Sequence, residues 1–324
     1  MCTKKSSLLQ IAAVFRVPAI QLILLETLMR ISTVYLLVTA SAFFWGANFV
    51  LAGPILADLP PLWAAAMRFV LGAALMFTIA GVRREKLLGL LKRNAAAYLL
   101  LGAVGIGGFN LFFFYALKST SANSAALIMA TNPLLTAFLA VAFLGERLTN
   151  RHLAALPLAL IGVAVVISHG NMHKLESLSF AQGDLLMLAA NLCWALYNVL
   201  VRRFMPQGSA IANTSWVMAA GALLLFAVAL GSDTHVSALD AKAAIAKAAM
   251  VIGGTVLAYL FWGVGIARLG AARTAIFVNL VPVFAMLVGI FLGTSPSAAQ
   301  IVGGLIVLSG VSISMIPSRR LVTT

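Results

Sequence analysis

The sequence predicts an all-α integral membrane protein: ten transmembrane helices arranged as two five-helix inverted repeats. Three observations predict it: an extreme apolar composition, apolar runs of membrane-spanning length along the chain, and an internal duplication. Of the 324 residues, 62% are hydrophobic and 9% charged, and the mean hydropathy is +1.06. A soluble protein carries about 25% charged residues. The composition excludes a soluble enzyme, a disordered chain and a disulfide-stapled secreted domain. Cys2 is terminal and Cys193 lies inside an apolar run, so a bridge between them is not expected.

The spans read as 35–56, 62–81, 95–117, 121–144, 153–168, 184–201, 211–230, 248–267, 272–292 and 298–316. Ten crossings put both termini on one side. Seventeen basic residues fall on that side: in the N-terminal segment, in the loops holding Arg83, Arg84, Arg147, Arg151, Arg202 and Arg203, around Arg268 and Arg273, and in the tail. Only Lys118, Lys174, Lys242 and Lys247 fall on the other. The positive-inside rule makes both termini cytoplasmic; the expected location is multi-pass in a cell membrane, the bacterial cytoplasmic (inner) membrane. The rule also accounts for the net charge of +14 without nucleic acid as a partner. The expected division is an N-terminal cytoplasmic extension 1–32, a first repeat 33–168, a second repeat 183–316 and a cytoplasmic tail 317–324. Within the extension Arg16, Pro18 and Glu26 interrupt the apolar residues, which leaves two readings, an interfacial amphipathic helix or a translation start at Met29.

The duplication is read from two stretches. Thr131-Asn132-Pro133-Leu134-Leu135 is followed by Phe143-Leu144-Gly145, and Leu280-Val281-Pro282-Val283-Phe284 by Phe291-Leu292-Gly293. The offset is 149 at the prolines and 148 at the glycines, and it carries Trp45 onto Trp194 and Gly162 onto Gly310. One offset contains five spans. An odd number forces the two halves into opposite orientations, the arrangement found in many secondary transporters, with a site at the midplane between halves.

Trp45-Gly46-Ala47-Asn48-Phe49, Arg68-Phe69, and Asn132-Pro133 through Phe143-Leu144-Gly145-Glu146-Arg147-Leu148 resemble the drug/metabolite transporter superfamily, as does Gly270-Ala271-Ala272-Arg273-Thr274-Ala275 through Leu280-Val281-Pro282. The EamA-type branch is the nearest likeness, over about residues 33 to 316. The resemblance implies two five-helix inverted repeats moving small metabolites, with no substrate common to the branch. One departure is that Glu146 follows Gly145 whereas Thr294 follows Gly293.

Polar and aromatic residues fall in stripes. Ser41, Trp45 and Asn48 share one face of the first helix, Asn191, Trp194 and Asn198 (with Tyr197 beside them) one face of the sixth, and Thr255, Tyr259 and Trp262 one face of the eighth. The offset of 149 pairs Asn48 with Tyr197 and Asn110 with Tyr259. Two roles compete for these groups: lining a polar cavity, and interhelical hydrogen bonding. The candidate substrate-binding set is Trp45, Asn48, Arg68, Asn110, Asn132, Asn191, Trp194, Tyr197, Tyr259 and Trp262. Arg68 reads as the only ionisable residue well inside a span, about 9 Å below the outer boundary at ~1.5 Å per residue, where its guanidinium can fork a carboxylate or snorkel to the interface. Pro133 and Pro282 are candidate hinges that free the carbonyls of Met129 and Val278. Glu146 is the candidate gate, pairing with a cytoplasmic arginine; with Thr294 as its counterpart, this favours an outward-open resting form. The glycine-rich run Gly102–Gly108 lacks phosphate-loop spacing.

The sequence therefore reads as a secondary transporter, working by alternating access, for an amino-acid-like or other anionic or zwitterionic metabolite. The competing classes are an intramembrane enzyme, for which no nucleophile, base and stabiliser assemble, and a membrane scaffold or sensor without flux. No metal or cofactor is expected. The partners are the small molecule and the bilayer, with monomer and homodimer both open.

Overall fold

A computed structural model describes residues 31–120, 125, 128–168, 182–232, 238–293 and 295–316. The N-terminal extension up to residue 30, Lys174, Thr294 and the tail lie outside them. The described residues contain helices and no strand. Eight helices are long and apolar enough to cross a membrane, and two shorter apolar ones, Ile128–Leu144 and Asn150–Val166, accompany them. Large apolar side chains such as Leu223, Ile245 and Phe291 face outward, Phe291 at 88% exposure. Such a surface is stable only in a hydrocarbon environment.

In order, the first half comprises α1 (Ile31–Asp58), α2 (Pro61–Val82) and α3 (Leu87–Gly102), then a π-helical segment Ala103–Gly108 and α4 (Phe109–Ala116). It closes with α5 (Asn132–Leu144) and α6 (Asn150–Ser168). The second half comprises α7 (Gln182–Phe204), α8 (Ala210–Leu230), α9 (Ala241–Ala249), a second π segment Met250–Leu257 and α10 (Ala258–Leu269). A short α11 (Ala271–Ala275) leads through a 3₁₀ turn, Ile276–Leu280, into α12 (Val281–Phe291) and α13 (Ala298–Met315).

Local chemistry sets the boundaries. Ser209 and Asp240 cap α8 and α9 by accepting from Ala212 N and Ala243 N, and Ser297 opens α13 with a capping box to Gln300. Gly145, at φ +63°, stops α5, and the Glu146 N–H returns to the Ala140 carbonyl. Helix α3 starts eight residues before the expected boundary of 95 because its first turns, with Lys92 and Arg93, form an amphipathic lead-in. That lead-in bends at Asn94, whose Nδ2 donates to the Leu90 carbonyl at 3.0 Å. The two prolines sit differently from expectation. Each occupies the first turn of its helix, α5 or α12, where a missing N–H costs nothing. The Val278 carbonyl is not freed, since the Val281 N–H closes the 3₁₀ turn on it.

The packing repeats the 149-residue correspondence. Helix α2 lies against α8, its counterpart, and α6 against α13; the pairing of α1 with α10 is matched by that of α7 with α4, and α1 with α12 by α7 with α5. At the α6–α13 contact the reciprocity is atomic. A Cβ on Gly162 would lie 2.7 Å from Val307 N, and one on Gly310 would lie 2.9 Å from Ala159 N. The offset of 148 converts the first contact into the second. Backbone cannot retreat as a side-chain tip can, so Gly162→Ala should cost about 1–3 kcal/mol through overpacking. Thermal unfolding in detergent checks this against Gly53→Ala, where the new methyl meets nothing within 4 Å. Equal melting temperatures would remove the contact from the account.

Loop contacts join the two halves at opposite ends of the helices. At one end Ser209 Oγ donates to Glu85 Oε1 at 2.7 Å, and Arg202 lies near Glu146. At the other the Asp240 N–H donates to Asp58 Oδ2 at 3.0 Å.

Candidate functional site

The stripes of α1, α7 and α10 converge. Trp45 meets Trp194 at 5.2 Å between ring centroids, Trp262 at 4.9 Å and Tyr259 at 6.0 Å. Tyr197 closes the group against Trp194 at 5.3 Å and Tyr259 at 6.2 Å. Phe69 extends it edgewise onto Tyr259, and Phe109 meets Trp194 at a tilt. The edge-on contacts of Trp45 with Trp194 and Tyr259, and of Phe69 with Tyr259, have a geometry that aromatic quadrupoles favour. The Tyr197 and Tyr259 hydroxyls bond no group among the described residues, so both phenols keep a free donor.

On the side of the cluster toward Asp58, the second π segment is the meeting point. Its Gly254 carbonyl accepts Trp45 Nε1 at 3.0 Å and Arg68 Nη2 at 2.9 Å, while Arg68 Nε donates to Thr255 Oγ1 at 2.6 Å. One turn on, Ser41 Oγ donates to the Ala258 carbonyl at 2.9 Å. Asn48 lies directly over Gly254: its Oδ1 sits 2.1 Å from where a Cβ on that glycine would be. That Oδ1 is buried and has no partner among the described residues. Such an orphan is costly and marks a place for a donor. The π register matters because it widens the helix and leaves carbonyls aimed sideways, available to side chains of other helices.

The opposite side mirrors this frame with different chemistry. Tyr197 lies over Gly105 of the first π segment, its ring 2.0 Å from the position of a Cβ there. Residues 48 and 197, and residues 254 and 105, are equivalent at the offset of 149. Arg68 has Val217 as its counterpart, so charge is present on one side only. The glycine-rich run set aside as a phosphate loop is thus a packing surface.

The remaining asparagines are engaged within the protein. Asn110 Nδ2 donates to its own helix at the Ile106 carbonyl, 2.7 Å away. Asn132 Nδ2 donates to Asn191 Oδ1 at 2.7 Å and to the Asn191 carbonyl at 3.0 Å. Asn191 Nδ2 donates to the Ile128 carbonyl and Thr131 Oγ1. Thr136 Oγ1 continues from Asn132, and Asn198 accepts from Trp262 Nε1 at 2.8 Å. This chain braces α5, α7 and α10 and places Asn198 and Thr136, absent from the candidate set, beside Trp262. Asn198 was visible in the stripe; Thr136 carried no sequence signal.

Two expectations change. Glu146 pairs with no arginine among the described residues: its Oε1 and Oε2 accept the N–H groups of Ala271 at 2.8 Å and Ala272 at 3.1 Å, tying the end of α5 to the start of α11. The carboxylate reaches the exposed first amides of a helix, which attract it as a cation would. Nor is Arg68 the sole buried charge. Lys247 of α9 is 3% exposed and its Nζ donates to the Ala64 carbonyl at 3.1 Å, one turn of α2 before Arg68. Among the described residues no group of three or more His, Cys, Asp or Glu is placed to hold a metal ion.

The family model of the EamA-like transporter family matches residues 32–168 and again 181–316, one match per half. The chain is 38% identical over 289 residues to the uncharacterized transporter YyaM of Bacillus subtilis (strain 168), covering 87% of this chain and 93% of that protein. It is 28% identical over 291 residues to a probable amino-acid metabolite efflux pump of Salmonella typhimurium (strain LT2), covering 85% and 92%. A crystal structure of 22% sequence identity has a TM-score of 0.74 over 87% of this chain and 96% of that one, a likeness of fold. Both named relatives are transporters, not enzymes.

Proposed function

Because the chain belongs to the EamA-like transporter family, we propose that it carries an amino-acid-like or other small anionic or zwitterionic metabolite across the cytoplasmic membrane by alternating access between two inverted repeats. The observation that carries the reading is the convergence of Arg68, Trp45 and Asn48 on Gly254 beside the aromatic cluster. Arg68 keeps Nη1 for a carboxylate, the orphaned Asn48 Oδ1 accepts from an ammonium, and the rings of Trp45, Trp194, Tyr197, Tyr259 and Trp262 take the apolar remainder. Asn132 and Asn191 are braces of this site in the present conformation, while Asn110 is turned back onto the Ile106 carbonyl of its own helix. The reciprocal contacts at α6–α13 and at the two π segments support a two-fold relation between halves, which lets each half adopt the other's conformation. The name of the Salmonella relative supports an amino-acid-related substrate and export. The charge distribution supports the Glu146 end as cytoplasmic.

The test is reconstitution of the purified full chain into vesicles loaded with a panel of amino acids and their metabolites, with empty vesicles as reference. Specific efflux of a carboxylate-bearing compound supports the reading; product formation without flux, or neither, overturns it.

In this scheme Glu146 latches the cytoplasmic end. Each of its bonds is charge-assisted, and loss of one is worth about 1.5–3 kcal/mol. Glu146→Gln, which can accept only at its single oxygen, should increase thiol labelling of a Leu269→Cys reporter about 10-fold, since Leu269 is buried beside the latch. Unchanged labelling would remove Glu146 from gating.

A further inference from the structure

At the Glu146 end four arginines line one cavity of about 250 Å³, together with Glu146, Leu269 and Gly270. Arg147 follows α5, Arg202 lies in the last turn of α7, Arg268 in that of α10, and Arg273 lies in α11. Positive-inside residues need only lie on the same side of a membrane. Nothing in that rule brings four of them from four elements around a single cavity.

The local charge is not balanced. Glu146 is the only acid of the lining, and both its oxygens are already taken by the Ala271 and Ala272 N–H groups. Arg202 is engaged by the Ile266 and Ala267 carbonyls at the end of α10. Arg147, Arg268 and Arg273 bond no group among the described residues. Two like charges 4 Å apart repel by about 1 kcal/mol in bulk water and more near a low-dielectric surface, so such a cluster calls for a counter-anion. Guanidinium forks match a tetrahedral oxyanion in geometry as well as in charge. The cavity has room for one with attendant water, each water occupying ~30 Å³ of the liquid. It opens where spanning helices end, the level at which basic pockets meet anionic lipid head groups.

We propose that this pocket binds a phosphate-type oxyanion, held by Arg147, Arg268 and Arg273, and that the bound anion ties α10 and α11 to the end of α5. The ligand is the phosphate of an anionic lipid or a soluble phosphate. The site stands apart from the substrate region at Gly254, so the proposal does not depend on what is transported.

The test uses the purified full chain in lipid nanodiscs. Thermal unfolding is followed in phosphatidylcholine alone, in phosphatidylcholine with phosphatidylglycerol, and in phosphatidylcholine with inorganic phosphate against chloride at equal ionic strength. The expected result is an upward shift of about 2–4 °C, with phosphatidylglycerol if the source is lipid or with phosphate if it is soluble. The shift should vanish in the Arg268→Gln/Arg273→Gln double variant and persist in Arg83→Gln/Arg84→Gln, whose residues lie at the same end but outside the lining. No shift in either arm, or an equal shift in parent and pocket variant, overturns the proposal. If the pocket variant does not fold, the parent alone decides. Whichever phosphate source is bound should slow phenylglyoxal modification of Arg268 and Arg273, read by mass spectrometry, but not that of Arg83; no selective protection by either source overturns it.

Discussion

Arg68→Gln is expected to lower transport of a carboxylate-bearing substrate by about 10- to 100-fold while the protein remains folded. The range follows from losing one charge-assisted hydrogen bond, worth about 1.5–3 kcal/mol, at 1.4 kcal/mol per factor of ten. Arg68 also has a structural task, since Nε and Nη2 hold Thr255 and the Gly254 carbonyl. The glutamine amide can still donate one bond there, which is why it is preferred to alanine. Arg68→Lys separates the two tasks further. It keeps the charge but not the planar fork, so transport should fall to an intermediate level. Initial rates in reconstituted vesicles, normalised to protein that unfolds at the parent temperature, read both variants. If Arg68→Gln transports carboxylates at the parent rate, Arg68 is a brace for the π segment and the substrate class is open again.

The parts of this molecule that a sequence displays are those fixed by repetition along the chain. Span positions follow from runs of apolar residues, and the correspondence of halves from Pro133 with Pro282 and Gly145 with Gly293. The three stripes that meet in the aromatic cluster follow from helical periodicity, because a face rich in Trp, Tyr and Asn cannot be left toward lipid. What stays hidden depends on what lies opposite. Lys247 reads as a loop lysine one residue before an apolar run, and its burial arises only because small residues of α2 let it reach the Ala64 carbonyl. Glu146 has arginines nearby in sequence and in space, yet backbone amides of α11 capture it, and amides carry no residue code. The π segments are invisible for a similar reason. A one-residue widening leaves hydrophobic periodicity almost unchanged, and its glycines read as loop or packing until Asn48 and Tyr197 are seen lying over them.

Those two glycines give the sharpest contrast between structure and function. Gly105→Ala and Gly254→Ala are equivalent substitutions in the two halves, and opposite outcomes are expected. At Gly105 the new methyl would lie 2.0 Å from Tyr197 Cδ2 and 2.3 Å from its Cγ. The ring is rigid, 5% exposed and packed against Trp194 and Tyr259, so it has nowhere to move. Overpacking of this kind costs about 1–3 kcal/mol, and the melting temperature should fall clearly. At Gly254 the new methyl would meet the Oδ1, Nδ2 and Cγ atoms of Asn48, at 2.1, 2.4 and 2.6 Å. These form the end of a flexible side chain with no hydrogen bond among the described residues to lose. Asn48 can rotate aside at the cost of about 0.5–1.5 kcal/mol for an off-rotamer angle, so stability should change little. Its orphaned oxygen would then no longer face the Arg68 side of the cluster, and transport should drop about 10-fold, the value of one hydrogen bond to a charged group. Asn48→Ala should lower transport by the same factor, and adding Gly254→Ala to it should lower it no further, because both act through one oxygen. Additive losses in the double variant would mean that Gly254 serves transport by another route, through the carbonyl that Trp45 and Arg68 share. Parent-level transport in Gly254→Ala, with Asn48→Ala equally active, would remove Asn48 from the site.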